Sequence, residues 1–278
     1  MNATYMQQLI GIAHRAGAAI MEVYRSGDAG ETSKADNSPL TQADLAAHRI
    51  IVEALTRLTP EIPILSEEAA DILYPVRSQW TRYWLVDPLD GTREFIKRNG
   101  EFTVNIALIE NGEPIMGVVY APVQDVCYYG ARGAGAFVQR GNTAAQSISV
   151  KPHAAGEPIK VVASRSHSDA RTEALLKQLG DHQCTSMGSS LKLCLVAEGA
   201  AHFYPRMGPT MEWDTAAAHA VVNAAGGIVC NMKGEELRYN KVDLHNPEFL
   251  VLPAADEILF GLLGIRHSGL DPESSFKS

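Results

Sequence analysis

Cysteine is scarce in this 278-residue chain, which contains four of them. Neither a C-x-x-C pair nor a histidine pattern accompanies these residues, which are Cys127, Cys184, Cys194 and Cys230. The sequence therefore predicts neither a zinc site nor a disulfide framework. A chain of this length buries about 73% of the surface that its unfolded form exposes, so a stable core needs no such crosslinks. A reducing cytoplasm is the expected compartment.

Long apolar runs and an excess of basic charge are also missing. No segment approaches the roughly 20 apolar residues that a membrane-spanning helix requires, and the first residues lack the basic and apolar regions of a secretory signal. Acidic residues outnumber basic ones by 32 to 24, giving a net charge of -8. Because nucleic-acid binding needs a basic surface that displaces counterions, we expect no nucleic-acid partner.

The first half of the chain contains two helical patterns and several strand patterns. Apolar spacing predicts helices over 3–25 and 43–58, with Thr41 as the N-cap of the second. The sequence Glu-Asn-Gly-Glu at 110–113 indicates a hairpin turn. Strands are predicted at 63–66 and 83–86, both followed by acidic residues, and at 102–109, 114–120 and 126–129.

The second half shows a different alternation. After a polar stretch at 151–158, a strand at 159–163 precedes helices at 169–178, 189–198 and 215–225. This pattern predicts a second α/β layer. We therefore divide the chain into an N-terminal subdomain at 1–152, a C-terminal subdomain at 153–264 and a disordered tail at 265–278.

The segment after the strand at 83–86 carries the main chemical signal. Asp87 and Asp90 flank a turn that Pro88 constrains, so both carboxylates can converge on one point. Gly91 and Thr92 then open a short predicted helix, whose free amides can bind an anion. Two acids beside a helix N-terminus can hold a divalent cation on one side and a phosphate on the other.

Other acids argue against the simpler interpretation, in which Asp87 and Asp90 only cap a turn. Glu67 and Glu68 end the preceding strand, and Asp214 precedes a predicted helix. Such carboxylates are ligands that Mg²⁺ prefers, whereas the lack of clustered histidine or thiolate disfavours zinc and copper. Because these acids would repel a phosphate, a metal must be part of any site for an anionic substrate.

Widely separated motifs make a family resemblance specific. The chain resembles the inositol monophosphatase superfamily of lithium-sensitive, Mg²⁺-dependent phosphomonoesterases in Ser-Glu-Glu at 66–68, Asp-Pro-Leu-Asp-Gly-Thr at 87–92, Trp-Asp-Thr-Ala-Ala at 213–217 and Ala-Gly-Gly at 225–227. It is similar to the bacterial bisphosphate nucleotidases of that superfamily over most of 5–252, especially at 33–39, 83–92, 94–109, 164–167, 188–192 and 195–199. The resemblance implies fold class α/β (α+β), with a layered α/β/α/β sugar-phosphatase architecture.

The resemblance also implies the parts of an active site. The implied ligands of two or three Mg²⁺ ions are Glu67, Asp87, the Leu89 carbonyl, Asp90 and Asp214. Asp44 and Thr92 are the implied pair that orients and deprotonates the attacking water, with Glu67 also catalytic and Glu68 ranked below Glu67 as a ligand. The implied substrate contacts are Glu67, Leu89, Asp90, Gly91, Thr92, His167, Ser189, Lys192, Arg206 and Asp214.

The activity implied by the resemblance is 3′(2′),5′-bisphosphate nucleotidase. The enzyme would hydrolyse adenosine 3′,5′-bisphosphate (PAP) to AMP and phosphate, and 3′-phosphoadenosine 5′-phosphosulfate (PAPS) likewise, clearing a by-product of sulfate assimilation in the cytoplasm. Similar bacterial enzymes are peripheral on the cytoplasmic face of the inner membrane, and no protein partner is predicted. The alternatives are hydrolysis of inositol 1-phosphate or fructose 1,6-bisphosphate on the same metal core, and a non-catalytic nucleotide or metal sensor.

Overall fold

The computed structural model of the protein describes residues 3–27, 30, 32–33, 39–164 and 170–265. The helices are α1 (Ala3–Ser26), α2 (Gln42–Leu58), α3 (Tyr74–Arg77), α4 (Thr92–Ile96), α5 (Ala170–Leu179), α6 (Leu191–Ala197), α7 (Glu212–Ala224) and α8 (Glu257–Leu263), with a 3₁₀ turn at Glu67–Ala69. The strands are β1 (Thr32–Ser33), β2 (Pro39–Leu40), β3 (Ile64–Ser66), β4 (Arg82–Asp90), β5 (Thr103–Glu110), β6 (Glu113–Ala121), β7 (Val126–Ala131), β8 (Gly135–Arg140), β9 (Gln146–Ile148), β10 (Ile159–Ser164), β11 (His182–Met187), β12 (Tyr204–Arg206), β13 (Gly227–Asn231) and β14 (Phe249–Pro253).

A seven-stranded sheet in the order β3-β4-β5-β6-β7-β8-β9 forms the centre of the molecule. β3 and β4 are parallel, and the later neighbours are antiparallel. The predicted hairpin at 110–113 is confirmed, because Asn111 and Gly112 take positive φ angles of 52° and 76° between β5 and β6. Such angles match the twist that a two-residue hairpin needs.

Helices cover both faces of this sheet, which explains why residues 83–86 of β4 form a continuous apolar run. Alternate side chains of a strand point to opposite faces. Trp84 and Val86 join a core with α1 and α2, whereas Tyr83 and Leu85 join a core with α6 and α7. The helix pair α1 and α2 therefore forms the first layer, and the sheet forms the second.

Helix α7 lies between two sheets. The core that contains Leu85 and Val221 also contains Val251 from the three-stranded sheet β12-β14-β13. A further core with Leu259 lies on the other face of that sheet, beneath α5 and α8. The predicted layered α/β/α/β architecture is confirmed. Across the described ranges, no helix is both long and apolar enough to span a membrane.

The contact between α7 and the central sheet is unusually close. A Cβ atom at Gly117 would lie 2.9 Å from Cα of Ala217 and would collide with the carbonyl oxygen of that residue. At Gly130, a Cβ atom would lie 2.9 Å from Cβ of Ala224. Small residues on both surfaces thus let α7 approach the sheet, and this approach positions the N-terminus of α7.

Three predicted boundaries are wrong. The strand predicted at 83–86 continues to Asp90, because β5 supplies partners for Asp87 and Asp90. The helix predicted to begin at 189 begins at Leu191, since Ser189 has a left-handed φ of 46°. Asp214 does not precede its helix but lies in the first turn of α7.

The predicted chain divisions concern the subdomain boundary at 152 and the tail at 265–278. A division at 152 remains our hypothesis for the subdomains. Helix α7 packs against strands that precede residue 152 and also against strands that follow it. The predicted tail at 265–278 lies outside the described residues except for Ile265.

Candidate active site

Strand β4 delivers two acids at an irregular end. Asp87 pairs with Asn105 and Asp90 pairs with Thr103, with a register shift between them. The carboxylate of Asp87 accepts a hydrogen bond from the Leu89 amide at 3.0 Å, which closes the turn. This bulge aims both acids toward one side of the sheet end.

The third acid comes from the other half of the chain. Carboxylate oxygens of Asp87, Asp90 and Asp214 all lie within 4.8 Å of one another. The Met211 amide donates to Asp214 Oδ2 at 2.9 Å, which fixes that side chain in the first turn of α7. The close packing of α7 on the sheet thus brings together acids more than 120 positions apart.

These acids strongly perturb one another. Burial, followed by the charges of Glu67, Asp90 and Asp214, raises the pKa of Asp87 well above its ordinary value. Burial and the charges of Asp90 and Glu67 do the same to the pKa of Asp214. A divalent cation would relieve this repulsion, and an all-carboxylate donor set fits a hard cation such as Mg²⁺. The residues present therefore fit a bound metal.

A buried acid and a threonine hydroxyl meet beside this cluster. Thr92 Oγ1 is 3.4 Å from Asp44 Oδ1 and also 3.4 Å from the Leu89 carbonyl oxygen. Asp44 Oδ2 accepts hydrogen bonds from the Thr41 amide and hydroxyl at 2.8 and 2.6 Å. The predicted N-cap Thr41 is confirmed, and the same capping interaction fixes Asp44. Burial raises the pKa of Asp44 to about 6.

A cavity of about 410 Å³ opens beside the acids. This volume suits a small-molecule ligand. Among the predicted site residues, those that line it are Glu67, Asp90, Gly91, Thr92, Ser189, Lys192, Arg206 and Asp214. Asp87 is buried with 1% exposure behind this lining.

Comparisons with known proteins identify the family of this chain. The sequence model of the inositol monophosphatase family matches residues 1–262. The chain belongs to the inositol monophosphatase family. It is 54% identical over 248 residues to a protein named 3′(2′),5′-bisphosphate nucleotidase CysQ from Escherichia coli K12, covering 88% of this chain and 98% of the relative. A protein of the same name from Buchnera aphidicola is 45% identical, over 84% of this chain and 87% of the relative.

Solved structures support the same family. CysQ from Bacteroides thetaiotaomicron, described as a bacterial member of the inositol monophosphatase family, is 44% identical with a TM-score of 0.81. That match covers 91% of this chain and 98% of the other. An IMPase from Thermotoga maritima shares the fold, with a TM-score of 0.77 at 24% identity over 94% of this chain and 96% of its own. The predicted family membership is confirmed.

In this inositol monophosphatase family member, the two predicted cations have different environments. Lys192 has 4% exposure, and its Nζ donates to the Ser189 carbonyl at 2.5 Å and more weakly to the Met187 carbonyl at 3.3 Å. Burial lowers its pKa to about 8, although the charge of Asp90 acts in the opposite direction. Arg206 is half-buried and donates to the carbonyls of Gly208 and Pro209. Neither residue is a freely solvated surface charge.

Two further predictions have different outcomes. His167 lies outside the residues that the structure describes. Glu68 is half-buried but does not line the cavity, and its charge acts on Asp44 and His48.

Sequence reasoning missed a polar group that supports Asp90. The Ser190 amide donates to Asp90 Oδ2 at 2.6 Å, and Ser190 Oγ donates to Asn105 Oδ1 at 2.9 Å. Thr103 Oγ1 lies 2.8 Å from Ser190 Oγ. The three runs that contain these residues contributed to the resemblance, but none of them indicates that the residues meet. Their separation of 85 to 100 positions hides the contact from local patterns.

Proposed function

We propose that this chain is a Mg²⁺-dependent 3′(2′),5′-bisphosphate nucleotidase that hydrolyses PAP to AMP and phosphate. One observation carries the proposal: a single cavity is lined both by acids of the carboxylate cluster and by the cations Lys192 and Arg206. The acids suit a metal that binds the phosphate to be removed, and the cations suit a second phosphate that remains. Relatives named as such nucleotidases, at 45% and 54% identity, support this assignment.

The proposed metal ligands are Glu67, Asp87, the Leu89 carbonyl, Asp90 and Asp214, which would hold two or three Mg²⁺ ions. When bound, Mg²⁺ would lower the pKa of the attacking water and would neutralise the charge of the leaving oxygen. The protein holds the carboxylates in place through the Ser190 and Met211 amides. This preorganisation is what phosphate-ester hydrolysis chiefly requires.

Asp44 and Thr92 are proposed to handle the proton of the attacking water, with Glu67 as a further catalytic group. Asp44 Oδ1 faces the Thr92 hydroxyl, while its Oδ2 is occupied by Thr41. Thr92 can therefore donate its hydrogen to Asp44 and accept one from water. The water is proposed to attack phosphorus directly, with no covalent enzyme intermediate, and the amides of Gly91 and Thr92 are proposed to donate to the phosphoryl oxygens.

Lys192, Arg206 and Ser189 are proposed to bind the phosphate that is not removed. An ammonium group has three N–H donors, and the two carbonyl contacts of Lys192 leave one for the cavity. His167 is proposed as a further nucleotide contact.

PAPS keeps the same 3′-phosphate, so its conversion to adenosine 5′-phosphosulfate follows from the same arrangement. The proposed setting is the cytoplasm.

The deciding experiment measures phosphate release with Mg²⁺ from PAP, adenosine 3′-phosphate, inositol 1-phosphate and fructose 1,6-bisphosphate. We expect kcat/KM for PAP to exceed the other values by at least about a hundredfold, or about 2.7 kcal/mol. Lys192→Met should remove most of the preference over adenosine 3′-phosphate. Parallel assays with lithium should show inhibition. Comparable rates on all substrates would contradict the nucleotidase assignment, and no release would favour a sensor.

A pH profile tests the proton acceptor. Asp44 must be ionised to accept from Thr92, and burial raises its pKa to about 6. As the pH falls through about 6, the Asp44 carboxylate becomes protonated and can no longer accept the hydrogen of Thr92. With saturating Mg²⁺, we expect kcat/KM to fall about tenfold for each further pH unit. The Asp44→Asn variant should have a low kcat/KM at every pH and should not show this acidic decline. A wild-type profile that stays flat down to pH of about 5 would contradict the role.

A further inference from the structure

His245 is a cavity residue that the family motifs do not include. It lies between β13 and β14, and it lines the same cavity as Lys192 and Arg206. An isolated antiparallel bridge pairs it with Met211, which lies three positions before Asp214. His245 is therefore adjacent to the end of α7 that carries an acid of the carboxylate cluster.

The backbone on both sides of His245 is held firmly. The Glu212 amide donates to the Leu244 carbonyl at 2.9 Å, and the Asn246 amide donates to the Thr210 carbonyl at 2.8 Å. The Asn246 side chain donates to the Met211 carbonyl at 2.7 Å. These bonds join the His245 segment to the start of α7, so the backbone of His245 is held next to the turn that carries Asp214.

Asp243 fixes the orientation and hydrogen placement of the ring. Its Oδ1 accepts from the His245 amide at 3.0 Å and lies 2.7 Å from His245 Nδ1. An ionised carboxylate only accepts hydrogen bonds, so Nδ1 carries a hydrogen, and in the tautomer with a single ring hydrogen Nε2 presents a lone pair. Among the described residues, nothing forms a hydrogen bond with Nε2. Nε2 of this cavity-lining residue is therefore available to a donor on a ligand.

Part of the cavity wall is apolar, although Thr210 and Thr215 also line it. Pro209, Met211 and Phe249 line the cavity together with His245. A phosphate gains nothing from such a wall, whereas a flat heterocycle can pack against it and direct a polar edge to the imidazole. This wall therefore suits the base of a nucleotide whose phosphates lie at the acids and cations.

We propose that His245 is a specificity residue whose Nε2 accepts a hydrogen bond from the exocyclic amino group of the nucleobase. The inference rests on the proposed nucleotidase function and adds selection among bases. A 6-amino purine offers a donor to Nε2. A 6-oxo purine instead places an oxygen lone pair against the nitrogen lone pair, and it is disfavoured.

The test compares PAP with inosine 3′,5′-bisphosphate, in which a 6-oxo group replaces the 6-amino group. We expect the wild-type enzyme to favour the adenine substrate about tenfold in kcat/KM, the value of one good hydrogen bond. His245→Ala should reduce this ratio to about one, and Asp243→Ala should reduce it partly. The matched control is His182→Ala, because His182 contacts the Gly180 carbonyl and does not line the cavity.

The outcomes separate this inference from the proposed function. Suppose the wild type strongly prefers PAP over inositol 1-phosphate, but His245→Ala keeps the wild-type ratio of adenine to inosine substrate. The inference is then overturned and the nucleotidase function stands. A wild type that does not prefer PAP over inositol 1-phosphate overturns both. Thermal unfolding of each variant verifies that the substitutions leave the fold intact.

Discussion

Asp90→Asn is expected to lower kcat by at least about a thousandfold, or roughly 4 kcal/mol of transition-state stabilisation. Asparagine keeps the shape of the side chain, and its oxygen can still accept from the Ser190 amide, which lies 2.6 Å from Asp90 Oδ2. The substitution removes a negative charge from the group that contains Asp87 and Asp214. Metal affinity and charge neutralisation should therefore fail while the backbone is unchanged.

Two measurements check this result. Phosphate release gives the activity, and thermal unfolding in the presence of a chelator gives the stability. The metal-free variant should unfold near the wild-type temperature, because burial opposes ionisation of Asp90 and raises its pKa, although the charge of Lys192 acts in the opposite direction. Asp181→Asn is the matched control, since Asp181 is exposed and does not line the cavity. Near-normal turnover in Asp90→Asn would refute the assignment of Asp90 as a metal ligand.

Gly117→Ala is expected to destabilise the protein by about 3 kcal/mol, at the upper end of the usual cost of overpacking. The added methyl group collides with backbone atoms of Ala217, and a helix backbone cannot move aside as a flexible side chain can. Helix α7 must shift away from β6. Because α7 carries Asp214, the activity of the folded variant should also fall.

The control for this prediction is another glycine-to-alanine change. A Cβ atom at Gly261, within α8, meets nothing within 4 Å. Gly261→Ala should raise the free energy of unfolding by about 0.5 to 1 kcal/mol, since alanine is the better helix former. Denaturant unfolding measures both variants. Equal stabilities for Gly117→Ala and the wild type would show that α7 does not depend on this close contact.

Local chemistry explains the parts of the fold that were predicted correctly. Thr41 caps α2 through its own side chain, and Asn111 with Gly112 makes a hairpin turn, so each signal lies within a few residues. The polar strand β11 was missed, because most of its residues are exposed and it has no apolar face to reveal it. Its parallel pairing with β10 defines it as a strand.

The same distinction applies to the candidate site. Asp87 and Asp90 could be recognised because both follow a buried strand and lie three positions apart. Their contact with Ser190 and their proximity to Asp214 depend on segments 100 or more positions away. His245 gave no signal of its own, because its position in the cavity comes from pairing with Met211.

The sequence by itself determined the family and the acids proposed as metal ligands, because spaced motifs can be recognised along the chain. The family resemblance carried by those motifs in turn implied the layered fold class. The tertiary structure alone decided which groups share one cavity and how each is held. That outcome depends on how closely α7 packs against Gly117 and on hydrogen bonds between distant segments. Neither the distance between two packed layers nor the pairing of remote backbone groups is encoded in a local pattern.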